Sequence, residues 1–520
     1  MNTPIHKGTN KRIVVNTICL YLRVFIVLFL SLFSTRFVLE GLGEVNFGLY
    51  NLIAGVVALF GFISATLASV TQRFISYEIG ASQNIERVRL VFNTSVRLHL
   101  VASAIVTAVV LVGGSILIRY FLNIPEDRID MAYFVLMSVA VGIAVTISGV
   151  PYEAMLMAHE NIVYVAFVQI GSSILKFLAA VSIVYIGREQ LRVYAVLMAC
   201  VPIMIMVSEL WYVKTHYREA SYISISMKNN PVRAEMLNFA LLSIWGNFGW
   251  AIKHQGISII LNILWGVTVN AANGVATQVN GALLSLSSSL TTSIRPQLVQ
   301  SAGEKSYDRM LSLASSACKY PLMILSVAGI PIFVALPMVL GLWLTEVPDY
   351  SVMFCRFLLA ELIINQSTMG IALILDATGD IKRLHMLVGS SLILSTVLAY
   401  FAGRIFLVPQ ALYWCVIMNA CFIGLVRVVL VRKKLQVLST NKNIDTVLLD
   451  CIVKPLVLIV VLISVAFVSW HHIDHTTINL FVFILATVMV SFTSYLVFVL
   501  NKSEKEKIKA AATKLFMKLR

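Results

Sequence analysis

Residues 14–35 read "VVNTICLYLRVFIVLFLSLFST", an apolar run with one permanent charge, Arg23, near its middle. The length of that run decides the fold class. As a helix it covers about 33 Å, enough to cross a hydrocarbon core of ~30 Å. Similar blocks recur along the 520 residues, of which 59% are hydrophobic and 12% charged, with a mean hydropathy of +0.88. A soluble domain of this length needs more charge to cover its surface, so the composition reads as an integral membrane protein. Continuous apolar runs, rather than alternation, argue against an outer-membrane barrel.

The pattern predicts an all-α membrane protein with fourteen transmembrane helices. They fall at roughly 14–35, 48–71, 92–118, 131–150, 161–186, 191–212, 237–263, 270–293, 312–342, 351–374, 385–406, 410–430, 447–469 and 477–500. With the N-terminus placed in the cytoplasm, 26 of the 40 Lys and Arg fall on the cytoplasmic side. Six fall opposite: Arg36, Arg119, Arg128, Arg188, Arg192 and Arg404. This asymmetry predicts both termini inside and an even number of spans. The net charge of +15 is thus a topology signal and an attraction to anionic membrane lipids, and it does not point to nucleic acid. No cleavable-signal pattern is evident, so the first span is expected to remain.

A weak repeat divides the chain. "SVTQRFISYEIG" (69–80) and "LTTSIRPQLVQSAG" (290–303) follow the second and eighth spans, and "LGEVNFGLYN" (42–51) faces "WGVTVNAANG" (265–274) before them. At an offset of 222, Arg73 aligns with Arg295, Arg87 with Arg309 and Arg97 with Lys319. Two six-helix lobes around a central cavity follow as an expectation, 1–220 and 221–440, with spans 13 and 14 (441–500) appended. In 501–520, Ser503 and Glu506 have capping-box spacing, and apolar residues recur between lysines. That tail reads either as a basic amphipathic helix on the inner membrane surface or as a solvated end.

Enzyme motifs are missing. No Gly-Lys dipeptide occurs, hence no phosphate-binding G-x-x-x-x-G-K-[ST] loop, and neither G-x-S-x-G nor H-E-x-x-H is present. The chain is expected to be no enzyme and to carry no cofactor or metal. His471, His472 and His475 cluster in an outer loop, which exposure alone explains. The seven cysteines lie in or beside spans without a C-x-x-C pair and read as inert buried thiols.

What remains is charge at membrane depth. Eight cations lie within or near spans: Arg23, Arg97, Lys176, Lys253, Lys319, Arg356, Arg427 and Lys454. Arg97, Lys319, Arg427 and Lys454 sit near helix ends, where snorkelling to the interface is the expectation. Arg23, Lys176 and Lys253 are central, where a charge costs about 2.5–3.5 kcal/mol and usually faces a bundle interior or a watery cavity. Asn16 and Ser34 share the Arg23 face, and Gly246, Gly249, Trp250 and Gly256 share that of Lys253. Asn273, Thr277, Asn280, Ser287 and Thr291 line one face of span 8, as cavity wall or as helix packing. Membrane carboxylates read as few: Glu361 in span 10, with Asp376 and Asp380 just beyond. Glu361 is either an ion-coupling site for a proton or sodium, or a counter-ion to a cation on another helix. A cationic interior suits an anionic substrate and argues against cationic drugs.

The stretch 11–80 resembles the Wzx-type polysaccharide flippases of the multidrug/oligosaccharidyl-lipid/polysaccharide superfamily. The features that carry the resemblance are Asn16-Thr17 opening span 1, Arg23 within it, the "LG-x-x-x-FG-x-YN" lead-in to span 2, and the Thr71-Gln72-Arg73 exit. "VPYEAMLMAHEN" (150–161) is similar to the loop that follows span 4 in that family. The resemblance implies alternating access that moves undecaprenyl-diphosphate-linked oligosaccharide repeat units across a bacterial inner membrane, for O-antigen, capsule or exopolysaccharide. It also implies polysaccharide polymerase and chain-length proteins as partners. With no nucleotide site, a proton or sodium gradient is the default energy source. By position and type, Arg23, Lys176, Lys253, Asn16, Trp250, Asn273 and Asn280 are the substrate-binding candidates, and Glu361 the ion-coupling candidate. The drug exporters of the superfamily typically carry an acid in span 1, where this chain has Arg23. A cation-coupled small-molecule exporter and a non-transporting scaffold are the alternatives.

Overall fold

A computed structural model describes residues 10–58, 60–81, 84–120, 126–186, 189–221, 231–343, 347–438, 444–474, 476–501 and 504–506, less some side chains within the helices. Among them the regular structure is helical throughout. The helices are α1 (Asn10–Ala58), α2 (Gly61–Ala81), α3 (Ile85–Tyr120), α4 (Ile129–Ala158), α5 (Ile162–Tyr185), α6 (Gln190–His216) and α7 (Pro231–Gly303). They continue as α8 (Tyr307–Ile324), α9 (Ile330–Trp343), α10 (Ser351–Thr378), α11 (Lys382–Phe406), α12 (Gln410–Val437), α13 (Ile444–Leu448), α14 (Lys454–His471) and α15 (Thr477–Phe498). Single π-helical turns, 325–329 and 449–453, join α8 to α9 and α13 to α14.

Ten of the described helical segments are long and apolar enough to cross a membrane, counting α8–α9 and α13–α14 as one each. The long α1 and α7 each contain a break, at Gly43 (φ 70°, ψ 167°) and Gly266 (φ 84°, ψ −174°). Only glycine populates that region, so each break fixes its residue type. Divided there, α1 with α2 and α7 supply further long segments, consistent with the fourteen spans expected. Gly43 and Gly266 are the second residues of the paired stretches 42–51 and 265–274, so the repeat reappears as backbone geometry.

The chain forms two compact units. Unit 1 holds Met1–Ala251, Arg295–Ser306 and Ala377–His385, and unit 2 holds Ile252–Ile294, Tyr307–Asp376 and Met386–Arg520. Lipid offers helices no hydrophobic drive to associate, so close packing and polar bonds must hold each unit together. In unit 1, a cluster around Val38, Val135, Ile147 and Ile183 fills the space between α1, α4 and α5. A second, with Ile75, Val91, Met155 and Met236, joins α2, α3, α4 and α7. A Cβ on Gly80 would lie 2.1 Å from the Gln300 carbonyl oxygen, and one on Gly303 2.3 Å from that of Tyr77, so α2 and α7 end backbone against backbone. In unit 2, α14 and α15 pack on α8 and α9 through Leu322, Val334, Ile459, Leu480 and Tyr495. The Tyr495 hydroxyl donates to the Lys319 carbonyl at 2.9 Å.

Two sequence expectations need correction here. The stretch 150–161 is not a loop: α4 runs on through Pro151 to Ala158. Lys319 and Arg427 do not snorkel, for they are 1% and 7% exposed. Arg427 donates to the Asn365 carbonyl and the Thr368 hydroxyl, each at 3.1 Å, and Lys319 lies 3.4 Å from Glu504. Internal partners replace the interface as the source of solvation. The apolar positions expected in the tail beyond Glu506 lie outside the described residues, as does the Ser503 cap.

Candidate functional site

Unit 1 contains a cavity of about 840 Å³, walled by α1, α2, α4, α5, α6 and the end of α7. Small residues, including Ala65, Ala68, Gly142, Gly149 and Ala199, leave the space open. Its polar wall is made by Gln72, Glu153, Gln169, Lys176, Glu209 and Arg295. Arg295 is held by the Ser69 hydroxyl at 2.6 Å. Lys176 lies past the midpoint of α5, exposed, with no hydrogen-bond or ion-pair partner among the described residues.

Arg23 belongs to the same unit but is not one of the cavity's lining residues. Its Nη1 donates to Gln169 Oε1, and Gln169 Nε2 donates to Glu153 Oε1 at 3.3 Å. The amide therefore relays between a cation on α1 and a carboxylate on α4. Glu209, on α6, is 3% exposed and receives no hydrogen bond from the described residues. It lies within electrostatic reach of Glu153.

Unit 2 treats its central cation differently. Lys253 Nζ contacts Glu361 Oε1 directly, and both residues are 4% exposed. Asn365 Nδ2 donates to the same oxygen at 3.0 Å. Three of the five polar residues of span 8 are likewise engaged with neighbouring helices, while Thr277 donates to the Gly274 carbonyl of its own helix at 2.9 Å. Asn273 Oδ1 accepts from the Tyr413 hydroxyl at 2.8 Å, Asn280 Nδ2 donates to the Leu358 carbonyl at 3.5 Å, and Ser287 accepts from Gln366 at 2.9 Å. Gly256, beside Lys253, serves packing: a Cβ there would lie 2.5 Å from Thr396.

The residues singled out from sequence therefore separate. Lys176 lines the unit 1 cavity, and Arg23 stands behind its wall. Lys253, Asn273, Asn280 and Glu361 belong to unit 2, and Trp250 is half-buried in unit 1. The Asn16 side chain lies outside the described set. Sequence reasoning missed Glu153 and Glu209, and with them the mixed charge of the cavity. The rule that flagged Glu361 applies equally to Glu209, an acid inside an apolar span. Glu153 was concealed because Pro151 reads as a helix end, whereas here the helix continues and loses only the bond that the Ile147 carbonyl would accept.

No family model and no curated protein matches this chain. Solved structures do. An outward-facing multidrug resistance MATE family transporter of the MOP superfamily aligns with TM-score 0.68 at 15% identity, covering 83% of this chain and 97% of that one. A MATE protein in the bent conformation gives 0.71 at 15%, over 82% and 96%. A MOP superfamily transporter from Pyrococcus furiosus, described as having a binding pocket of reverse polarity, gives 0.71 at 14%, over 85% and 100%. The chain thus has the fold of the MATE transporters of the MOP superfamily.

Proposed function

We propose that this chain is an alternating-access transporter of that superfamily, and that its cargo is a diphosphate-linked lipid oligosaccharide flipped across a bacterial inner membrane. The observation that carries the reading is Lys176. It is an uncompensated cation at membrane depth, on the wall of a cavity large enough for sugar residues. A cation at membrane depth costs free energy unless water or an anion solvates it, and the cavity gives either one access. The lining itself is balanced, Lys176 and Arg295 against Glu153 and Glu209, and Arg23, one amide behind the wall, tips the surroundings to positive. Both termini on the cytoplasmic side, as the Lys and Arg distribution predicts, belong to this reading.

A second reading, a cation-coupled exporter of small molecules, is favoured by one observation. Glu209 lines the same cavity and receives no hydrogen bond from the described residues. Complementation separates the two. In a strain lacking its own flippase, the chain should restore surface polymer for at least one repeat-unit type, and Lys176→Glu should abolish that. Raised resistance to cationic dyes, without restored polymer, would select the exporter.

A further inference from the structure

We propose that Glu209 and Gln72 form a sugar-reading floor in the unit 1 cavity, where hydroxyl groups of the cargo distinguish a loaded lipid diphosphate from a bare one. This inference rests on the cargo reading above and adds to it the groups that recognise the sugar. Two uncommitted side chains carry it. Glu209 lines the cavity, is 3% exposed and receives no hydrogen bond from the described residues. Gln72 lines it as well, is 8% exposed, and its Nε2 has no acceptor among them. One is an acceptor without a donor and the other a donor without an acceptor, and burying either in that condition is costly. A sugar hydroxyl meets both needs, because it donates one hydrogen bond and accepts others. An ionised diphosphate only accepts, so it can serve Gln72 but not Glu209, and an alkyl chain serves neither.

The other polar groups of the wall are already engaged or lie at another depth. Gln169 is used at both ends, by Arg23 and by Glu153, and Arg295 is held by Ser69. Gln72, Glu153 and Glu209 all lie within the last three turns of α2, α4 and α6, whose ends pack together through Ile79, Met155 and Val213. Gln169, bonded to Glu153, shares that depth, and Lys176 stands seven residues farther along α5, about 10 Å along its axis. A diphosphate held at Lys176 is too far from the floor to touch it, and the sugars attached to it are the part of the cargo that reaches there.

A carrier lipid that has lost its sugars leaves Glu209 and Gln72 unmet. A site built to bond a hydroxyl rejects the analogue that lacks it, since its own buried polar groups then stay unpaired. The floor thereby keeps the empty carrier from being moved in place of the loaded one.

Equilibrium binding to the purified full chain in lipid nanodiscs tests this with probes that differ only in the sugar. They are farnesyl diphosphate and farnesyl diphosphate carrying glucose, galactose or N-acetylglucosamine. We expect the native chain to bind at least one sugar-bearing probe about tenfold or more tightly than farnesyl diphosphate. Glu209→Leu and Gln72→Leu should each erase most of that preference without weakening the binding of farnesyl diphosphate. Glu209→Gln, nearly the same in shape and still an acceptor, should retain part of it, and it carries the test should Glu209→Leu fail to fold. An unchanged preference in any folded variant of the three would overturn the floor. So would a native chain that binds the sugar-bearing probes no better than farnesyl diphosphate, which leaves the diphosphate reading standing. A native chain that binds none of the diphosphates would remove the cargo reading, and the floor with it; binding of tetraphenylphosphonium lost in Glu209→Gln would then select the exporter.

Discussion

The two units meet the same difficulty in different ways. Each carries a cation at membrane depth, Arg23 in unit 1 and Lys253 in unit 2. In unit 2 the charge is cancelled at contact by Glu361, within a buried pair that Asn365 completes. In unit 1 the charge is separated from its carboxylate by an amide, beside a cavity whose wall holds a further lysine and a further acid. A direct pair is spent on structure, whereas a relayed one leaves charge for something that enters. Under the proposed function, the charge that marks a cargo site is the one whose counter-charge is incomplete.

Substitution at Lys253 should break that contrast with the largest effect. Lys253→Met leaves Glu361 buried and unpaired and should cost about 3–5 kcal/mol, read as a lowered unfolding temperature in detergent. Adding Glu361→Leu should recover most of it, since an apolar pair of similar volume often replaces a buried ion pair without loss. A single variant as stable as the native chain would show that the pair is not structural. Arg23→Met should cost less, about 1–3 kcal/mol, because it strands the part-buried Gln169 acceptor and removes a counter-charge that Glu153 meets only through that amide. Equal losses at the two sites would erase the distinction drawn here.

Outside the membrane-spanning segments, His159 Nε2 lies 2.7 Å from Glu219 Oε1, with Tyr217 stacked on the imidazole at 4.2 Å. Burial works to raise this carboxyl, but the close approach of His159, with the charge of Arg89, outweighs it and holds the group below its usual 4.5. A depressed carboxyl adds stability that is fully present above the unfolded value and lost as pH falls through the folded one. Glu219→Gln should therefore cost about 1 kcal/mol at neutral pH, with the gap to the native chain closing in acid below 4.5. A gap independent of pH would remove the electrostatic account. The smallest effect belongs to Arg192→Ala at the exposed pair with Glu189, where side chains are 43% and 62% exposed. Less than about 0.5 kcal/mol is expected there, and a larger loss would mean that surface charge matters as much as depth.

Much of the fold was legible because apolar length and charge asymmetry are properties of single segments. The breaks at Gly43 and Gly266 were visible as paired glycine-containing stretches, though not as a backbone conformation. The site was less legible, since whether a charge is spent depends on contacts between distant helices. Nothing local to Lys253 announces Glu361, 108 residues away. Nothing local to Asn273 announces the Tyr413 hydroxyl that turns a suspected cavity residue into a packing one. Glu153 was hidden by a proline that did not end its helix.

The central claim is that the unit 1 cavity accepts an anionic lipid-linked cargo at Lys176. Its most direct test is reconstitution into proteoliposomes with a fluorescent diphosphate-linked lipid oligosaccharide, scored by the fraction of label that becomes accessible from the opposite leaflet. The account predicts transfer by the native chain and at least a roughly tenfold slower rate for Lys176→Glu, a barrier change of about 1.4 kcal/mol or more. Transfer at the native rate by Lys176→Glu, in protein inserted and folded as the native chain is, would contradict it.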